Sequence, residues 1–287
     1  MNWWIRFKRV DGLSIYGGTL NGRGRSLWAC KIAGRSCPYG ATSLSFSQSK
    51  NVFISGLTSI NSKFYHLSIF GSSNVKIHGV KITAPDASPN TDGIHLQKSS
   101  GITIKGSTIG TGDDCIAMKA GTTNVWIQKV TCGPGHGISI GSLGDAANEA
   151  GVQNITVRSV VFTGTQNGVR IKTWGKTNKG SVNGVTFANA VMQNVQNPII
   201  IDQNYCPSNQ NCPGQSSGVK ISRVSYTNIR GSSATAVAVK FDCSPSNPCS
   251  EISLKDIKLR YQNETAQAFC KNVSGTATGS IDPPSCL

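Results

Sequence analysis

Val75-Lys76-Ile77, Ile102-Thr103-Ile104 and Val125-Trp126-Ile127 are copies of one short pattern. A small residue or an Asn (Asn74, Gly101, Asn124) precedes an apolar-x-apolar pair, and a polar step and a further apolar group follow. The same pattern stands upstream at Leu13-Ser14-Ile15 and Val52-Phe53-Ile54, and downstream at Ile155-Thr156-Val157 and Val185-Thr186-Phe187. Val219-Lys220-Ile221 and Ile252-Ser253-Leu254 read as the last copies. The period of roughly 23 to 34 residues is that of a solenoid. Alternation with period 2, rich in Val, Ile, Thr and Ser and broken by Gly, Asn and Ser, marks short strands. No amphipathic helical stretch of any length stands out, and the Leu and Asn/Cys spacing of a leucine-rich repeat is missing. A parallel β-helix is the architecture that remains, with each repeat one coil and coils stacked about 4.8 Å apart. No linker interrupts the pattern, so residues 1–287 read as one all-β domain.

Four motifs fall in successive coils: Asn90-Thr91-Asp92-Gly93-Ile94-His95, Gly112-Asp113-Asp114-Cys115, Gly135-His136-Gly137 and Arg170-Ile171-Lys172, with Tyr205 one coil later. Asp92 to Asp113 is 21 residues, on to His136 is 23, on to Arg170 is 34 and on to Tyr205 is 35. Each step is about one coil, so these side chains are expected to line one groove. Arg170 and Lys172 are two apart and share a strand face. Taken singly, each motif has a plainer meaning: a solvated or calcium-binding Asp-Asp turn, a tight Gly-His-Gly turn, an exposed strand face. Four in register are far harder to dismiss.

Cleavage of a glycosidic bond needs one protonated carboxyl to donate to the leaving oxygen and a second carboxylate to activate water or attack. Three carboxylates as close as Asp92, Asp113 and Asp114 cannot all ionise cheaply, so at least one pKa is expected to rise. Arg170 and Lys172 suit a substrate carboxylate.

Charge agrees with an anionic substrate. Lys and Arg outnumber Asp and Glu by 28 to 13, a net +15. The basic residues are scattered rather than clustered, with no nucleic-acid-binding motif among them, which argues against nucleic acid. An acidic polysaccharide is the expected partner of a monomeric protein. No apolar run is long enough to span a membrane. Ten cysteines without C-x-x-C or paired His read as disulfides in an oxidising compartment rather than zinc ligands. Sequons at Asn154, Asn263 and Asn272 agree with secretion to the cell exterior. Met1 opens directly on Asn2-Trp3-Trp4-Ile5, which reads as strand rather than signal peptide, as in an N-terminally shortened form. Proximity in sequence and in coils suggests local pairs, Cys30–Cys37, Cys206–Cys212, Cys243–Cys249 and Cys270–Cys286, although ten cysteines allow many connectivities and sequence alone does not decide among them.

The motifs N-T-D, D-D, G-H-G and R-I-K, in that order, resemble the signature of the polygalacturonase family of glycoside hydrolases. The similarity runs from about Trp3 to the end. The resemblance implies a right-handed parallel β-helix that hydrolyses α-1,4-galacturonan with inversion in the plant cell wall, without a metal or cofactor. It implies Asp113 as general acid and Asp92 and Asp114 as holders of the water. It implies His136 as a tuner of the acid's proton or an aid to substrate binding, and Arg170, Lys172 and Tyr205, with Asn90 and His95 beside them, as galacturonate binders. It also implies a Cys115–Cys132 disulfide. Ser88-Pro89-Asn90 and Cys132-Gly133-Pro134 are similar to the plant pollen-type group, which points to action from the chain end, with internal cleavage as the alternative. Two rivals remain: a calcium-dependent pectate lyase using the same acids, and a non-catalytic wall-binding solenoid.

Overall fold

The computed structural model describes residues 2–207 and 210–287. The chain winds as a right-handed parallel β-helix. One ten-stranded sheet runs through Asn2–Lys8, Ala41–Ser47, Leu67–Phe70, Ile94–Gln97, Ile116–Met118, Ile138–Leu143, Asn167–Trp174, Asn197–Tyr205, Val237–Asp242 and Gln267–Lys271, one strand per coil. A second sheet takes the recurrent pattern. The early coils carry a third short strand, as at Thr58–Ile60 and Lys81–Thr83. Later coils merge the last two faces into long strands such as Gly180–Val195.

The recurrent pattern has a conformational cause. Asn51, Asn74, Asn124 and Asn154 sit at φ near +50°, and Gly101 and Gly184 at +68° and +65°, each just before the apolar pair. This left-handed position turns the chain into the strand, and Asn and Gly tolerate it best. The Asn amides also bond between coils: Asn74 Nδ2 donates to Asn51 Oδ1 and Asn154 Nδ2 to Asn124 Oδ1, both at 2.6 Å. The same criterion corrects one copy. Val219-Lys220-Ile221 pairs with Gly180–Val182, whereas Val224-Ser225-Tyr226 stands in register with Val185-Thr186-Phe187. There the turn residue is Arg223 (φ 53°), which hides the repeat from a pattern that seeks Asn or Gly.

Inside, like sits on like. Ile69, Leu96, Met118, Ile140, Ile171, Ile201 and Phe241 form one ladder from coil to coil. All are completely buried, and one core cluster runs the length of the helix. One helix, Arg25–Ile32, lies outside the coils and buries Leu27 and Trp28. Its eight residues are too short for a periodic signal to show in the sequence. All five expected disulfides are present, and no cysteine is free among the described residues. No helix there is long and apolar enough to cross a membrane.

The Tyr226 hydroxyl is among the buried polar groups without a partner. Tyr226 is fully buried and stacks on Phe187 at 5.2 Å. An unpaired buried hydroxyl costs about 1–3 kcal/mol. Tyr226→Phe is therefore expected to leave stability unchanged or raise it by about 1 kcal/mol in denaturant titration; a loss of that size would show that the hydroxyl is bonded.

Candidate active site

The acids lie where the chain enters the ten-stranded sheet. Ile94, Ile116 and Ile138 are in register, and so are Leu67 and Ile94. Counting two residues back, Tyr65, Asp92, Asp114 and His136 form one row across four coils. Asn167, which pairs with Asn197, continues it, and its amide donates to the His136 carbonyl at 3.1 Å. The register thus puts Asp114, rather than Asp113, on Asp92. A second row, further into the strands, runs His95, Ala117, Ser139, Arg170, Ile200 and Lys240. Arg170 therefore stacks on Ser139, three residues past His136. The coil count from the sequence holds, but direct stacking of Arg170 on His136 does not.

Backbone contacts hold the turns together. Thr91 Oγ1 accepts from the Gly112 N–H at 3.1 Å, tying the Asn-Thr-Asp turn to the Asp-Asp turn. In Gly135-His136-Gly137, a Cβ on Gly135 would lie 2.6 Å from the Asp113 carbonyl, and one on Gly137 would run into the Asn167 carbonyl. Both glycines have positive φ. Glycine is what lets these coils close on each other. His136 is held twice to the coil before it: its N–H donates to the Asp113 carbonyl at 2.9 Å, and Nδ1 lies 3.2 Å from Asp113 Oδ1.

The three carboxyls have different surroundings. Asp114 is buried and accepts three hydrogen bonds: Ser139 Oγ and Arg170 Nη2 to Oδ1, both at 2.7 Å, and Lys172 Nζ to Oδ2 at 2.9 Å. Burial would push its pKa up, but the charges of Lys172 and Arg170 and the bonds from Lys172 and Ser139 outweigh that and hold it well below the usual carboxylate range. Asp92 is equally buried and meets only His95, whose Nδ1 is 2.8 Å from Oδ2. Burial, and then the charge of Asp113, raise its pKa despite that bond. The rise expected among the three acids therefore falls on Asp92. Asp113 is the most open of them, with 19% of its side chain exposed, and its carboxyl lies beside His136.

The expected binders are placed unequally. Arg170 and Lys172 do share a face, but both are buried and bonded to Asp114. This changes the reading of Lys172 as a free reader of substrate charge. Arg170 uses Nε on Ser139 and Nη2 on Asp114, and it lines a cavity of about 530 Å³ together with His136, Asn167, Tyr205 and Lys240. The Tyr205 ring lies 5.1 Å from Lys172 Nζ. Asn90 is exposed at the rim of a second cavity. His95 is buried against Asp92 and sandwiched by Tyr65, ring on ring at 4.0 Å. It touches an acid rather than open groove.

Ser139 and Tyr65 escape a reading of motifs. Ser139 stands on the outward parity of the strand Ile138–Leu143, between Ile138 and Ile140 and one coil before Arg170, and that is the signal that could have found it. Tyr65 stands one coil before Asp92 in the same row.

With this geometry in view, the sequence matches the family of glycosyl hydrolases family 28 over residues 1–280, and the chain belongs to it. It is 56% identical over 285 residues to a polygalacturonase of Prunus persica, covering 99% of this chain and 72% of that one. It is 43% identical to an exopolygalacturonase of Platanus acerifolia, covering 98% and 76%. Among solved structures, a polygalacturonase from Erwinia carotovora ssp. carotovora superposes with a TM-score of 0.81 at 28% identity, covering 96% of this chain and 73% of that chain.

Removing Lys172 leaves the buried Asp114 carboxylate under-compensated, and breaking such a pair costs about 3 kcal/mol. Lys172→Met is expected to lower unfolding stability by about that much near pH 7. A carboxyl with a depressed folded pKa contributes stability above its unfolded pKa and loses it as pH falls through the folded one. The gap between wild type and variant should therefore be full above about pH 5 and shrink in acid. A gap of the same size at every pH in a denaturant series would contradict the pairing.

Proposed function

We propose that the protein hydrolyses the α-1,4-galacturonosyl linkages of polygalacturonate, the acidic backbone of pectin, outside the cell. The observation that carries this reading is the division among three neighbouring carboxyls: one locked as an anion by two cations, one buried and proton-favouring, one partly exposed. Family 28 membership and relatives named polygalacturonase support the substrate. Five disulfides support an oxidising, extracellular setting.

In the proposed reaction Asp113 donates its proton to the leaving oxygen. His136, 3.2 Å away, orients that carboxyl and helps return the proton. Asp92 and Asp114 hold the attacking water from two adjacent coils, and the ionised carboxylate of the pair takes its proton as the oxygen attacks. Arg170 and Lys172 keep Asp114 ionised, and Arg170 Nη1 and Tyr205 face the galacturonate. Atoms of Asp113, Asp114 and His136 lie within 4.8 Å of one another. Asp114 is poorly placed to act as a nucleophile, since attack on the sugar would cost it its bonds to Ser139, Arg170 and Lys172, and this favours water as the attacking group, with inversion. The same two cations oppose calcium binding at Asp114 and so disfavour a lyase.

For the mode of attack, release from the chain end is the first reading, supported by the relative named exopolygalacturonase. Internal cleavage is a second reading, favoured by cavities on both sides of the acids.

Wild type is expected to release reducing ends from polygalacturonate in the presence of a chelator, with no unsaturated product. Asp113→Asn should lose about 10²–10⁴-fold in turnover while still binding the polymer; near-normal turnover would overturn the assignment. Proton NMR of the first product should show the β-anomer, and an α-anomer would establish retention. Monomer as the sole early product supports chain-end action, whereas a ladder of oligomers supports internal cleavage.

A further inference from the structure

The groove does not stop at Asp92. Asn2, Gly40, Phe64 and Asn90 each lie at or just before the start of a strand in successive coils, at the edge that carries the acids in the next ones. Together with Lys31, Arg35 and Tyr39 they line a cavity of about 500 Å³. From Lys31 and Phe64 in its wall, a run of stacked groups leads to the acids. Lys31 Nζ stands 5.7 Å from the Phe64 ring, Phe64 stacks on Tyr65 at 3.9 Å, Tyr65 on His95 at 4.0 Å, and His95 meets Asp92 at 2.8 Å.

The loop opposite is built to hold charge there. Helix Arg25–Ile32 carries Lys31 in its last turn, and the Cys30–Cys37 disulfide closes the short loop that follows. Arg35 is exposed, Lys31 half-buried, and neither has a carboxylate partner among the described residues. Lys31 also sits in the last turn of the helix, where a cation is favourable on its own account. Arg35 has no such second role. Tyr39, 91% exposed, offers an apolar face beside them.

We propose that this cavity is a subsite for a galacturonate unit distal to the cut, with Arg35 and Lys31 binding its carboxylate and Phe64 and Tyr39 packing on the sugar ring. The chemistry is specific in two ways. Unpaired cations select a uronate over a neutral hexose. Aromatic faces pack on the C–H face of a pyranose, which buries apolar area without a hydrogen-bond cost. A polymer laid across the coils reaches the cavity only if it extends several units from the acids, so the subsite reads chain length. This rests on the polygalacturonate reading above.

The test is the double substitution Lys31→Ala/Arg35→Ala, with Lys76→Ala on the other sheet as a control for lost positive charge. On long oligogalacturonates KM should rise about three- to tenfold, the range of one or two solvent-facing charged contacts. On digalacturonate, too short to span both places, the rise should fall below twofold. Lys76→Ala should change neither. Phe64→Ala should reproduce the length dependence without a charge change. Calorimetric binding of the same oligomers to the Asp113→Asn protein keeps the two readings apart. If that protein binds long oligomers but wild type cleaves none, the hydrolase reading fails and the subsite stands. An equal loss at every chain length, a loss matched by Lys76→Ala, or no loss overturns the subsite.

Discussion

Hydrogen bonding between successive parallel coils is the constraint from which the site follows. One strand spacing per turn brings residues far apart in sequence into adjacent rungs, and an interior ladder of Ile, Leu, Met and Phe keeps the register from slipping. A slip of one residue would turn that ladder outward and the groove inward. Asp114 shows what the register permits. Its three partners, Ser139, Arg170 and Lys172, come from the next two coils, 25 to 58 residues away. No local motif could assemble them.

The electrostatic pattern then divides the acids. Asp114 sits beside two cations, Asp92 beside a histidine and another carboxylate, and Asp113 is the most open. Burial acts on Asp92 and Asp114 alike, yet their pKa values move in opposite directions. Neighbouring charge decides the direction where desolvation is shared. Lys172 and Arg170 are thus part of what makes an anion in a buried position tolerable, before any contact with substrate.

Much of this was legible in the sequence, and the rest was hidden for definite reasons. The repeat showed because Asn51, Asn74, Asn124 and Asn154 answer one backbone need, a left-handed turn into each strand. Where Arg223 fills that position the pattern pointed five residues early, to Val219 instead of Val224. The motifs placed Asp92, Asp113, Asp114 and His136 on one edge because each follows a coil step. Sequence shows that Lys172 is charged but not whom it faces, and its partner Asp114 is 58 residues away. Ser139 was marked only by its outward parity one coil before Arg170, and Tyr65, in a loop, carries no pattern of its own. The expected rise in a carboxyl pKa was sound as physics. Which acid it fell on depended on where the two cations ended up.

The division of the acids is open to direct measurement by carboxyl-carbon NMR of protein labelled at aspartate, with Asp92→Asn and Asp114→Asn for assignment, titrated from neutral pH into acid. The account predicts that the Asp92 signal moves above the ordinary carboxylate range and that the Asp114 signal holds its ionised position to well below it. Protonation of Asp114 before Asp92 would contradict the account.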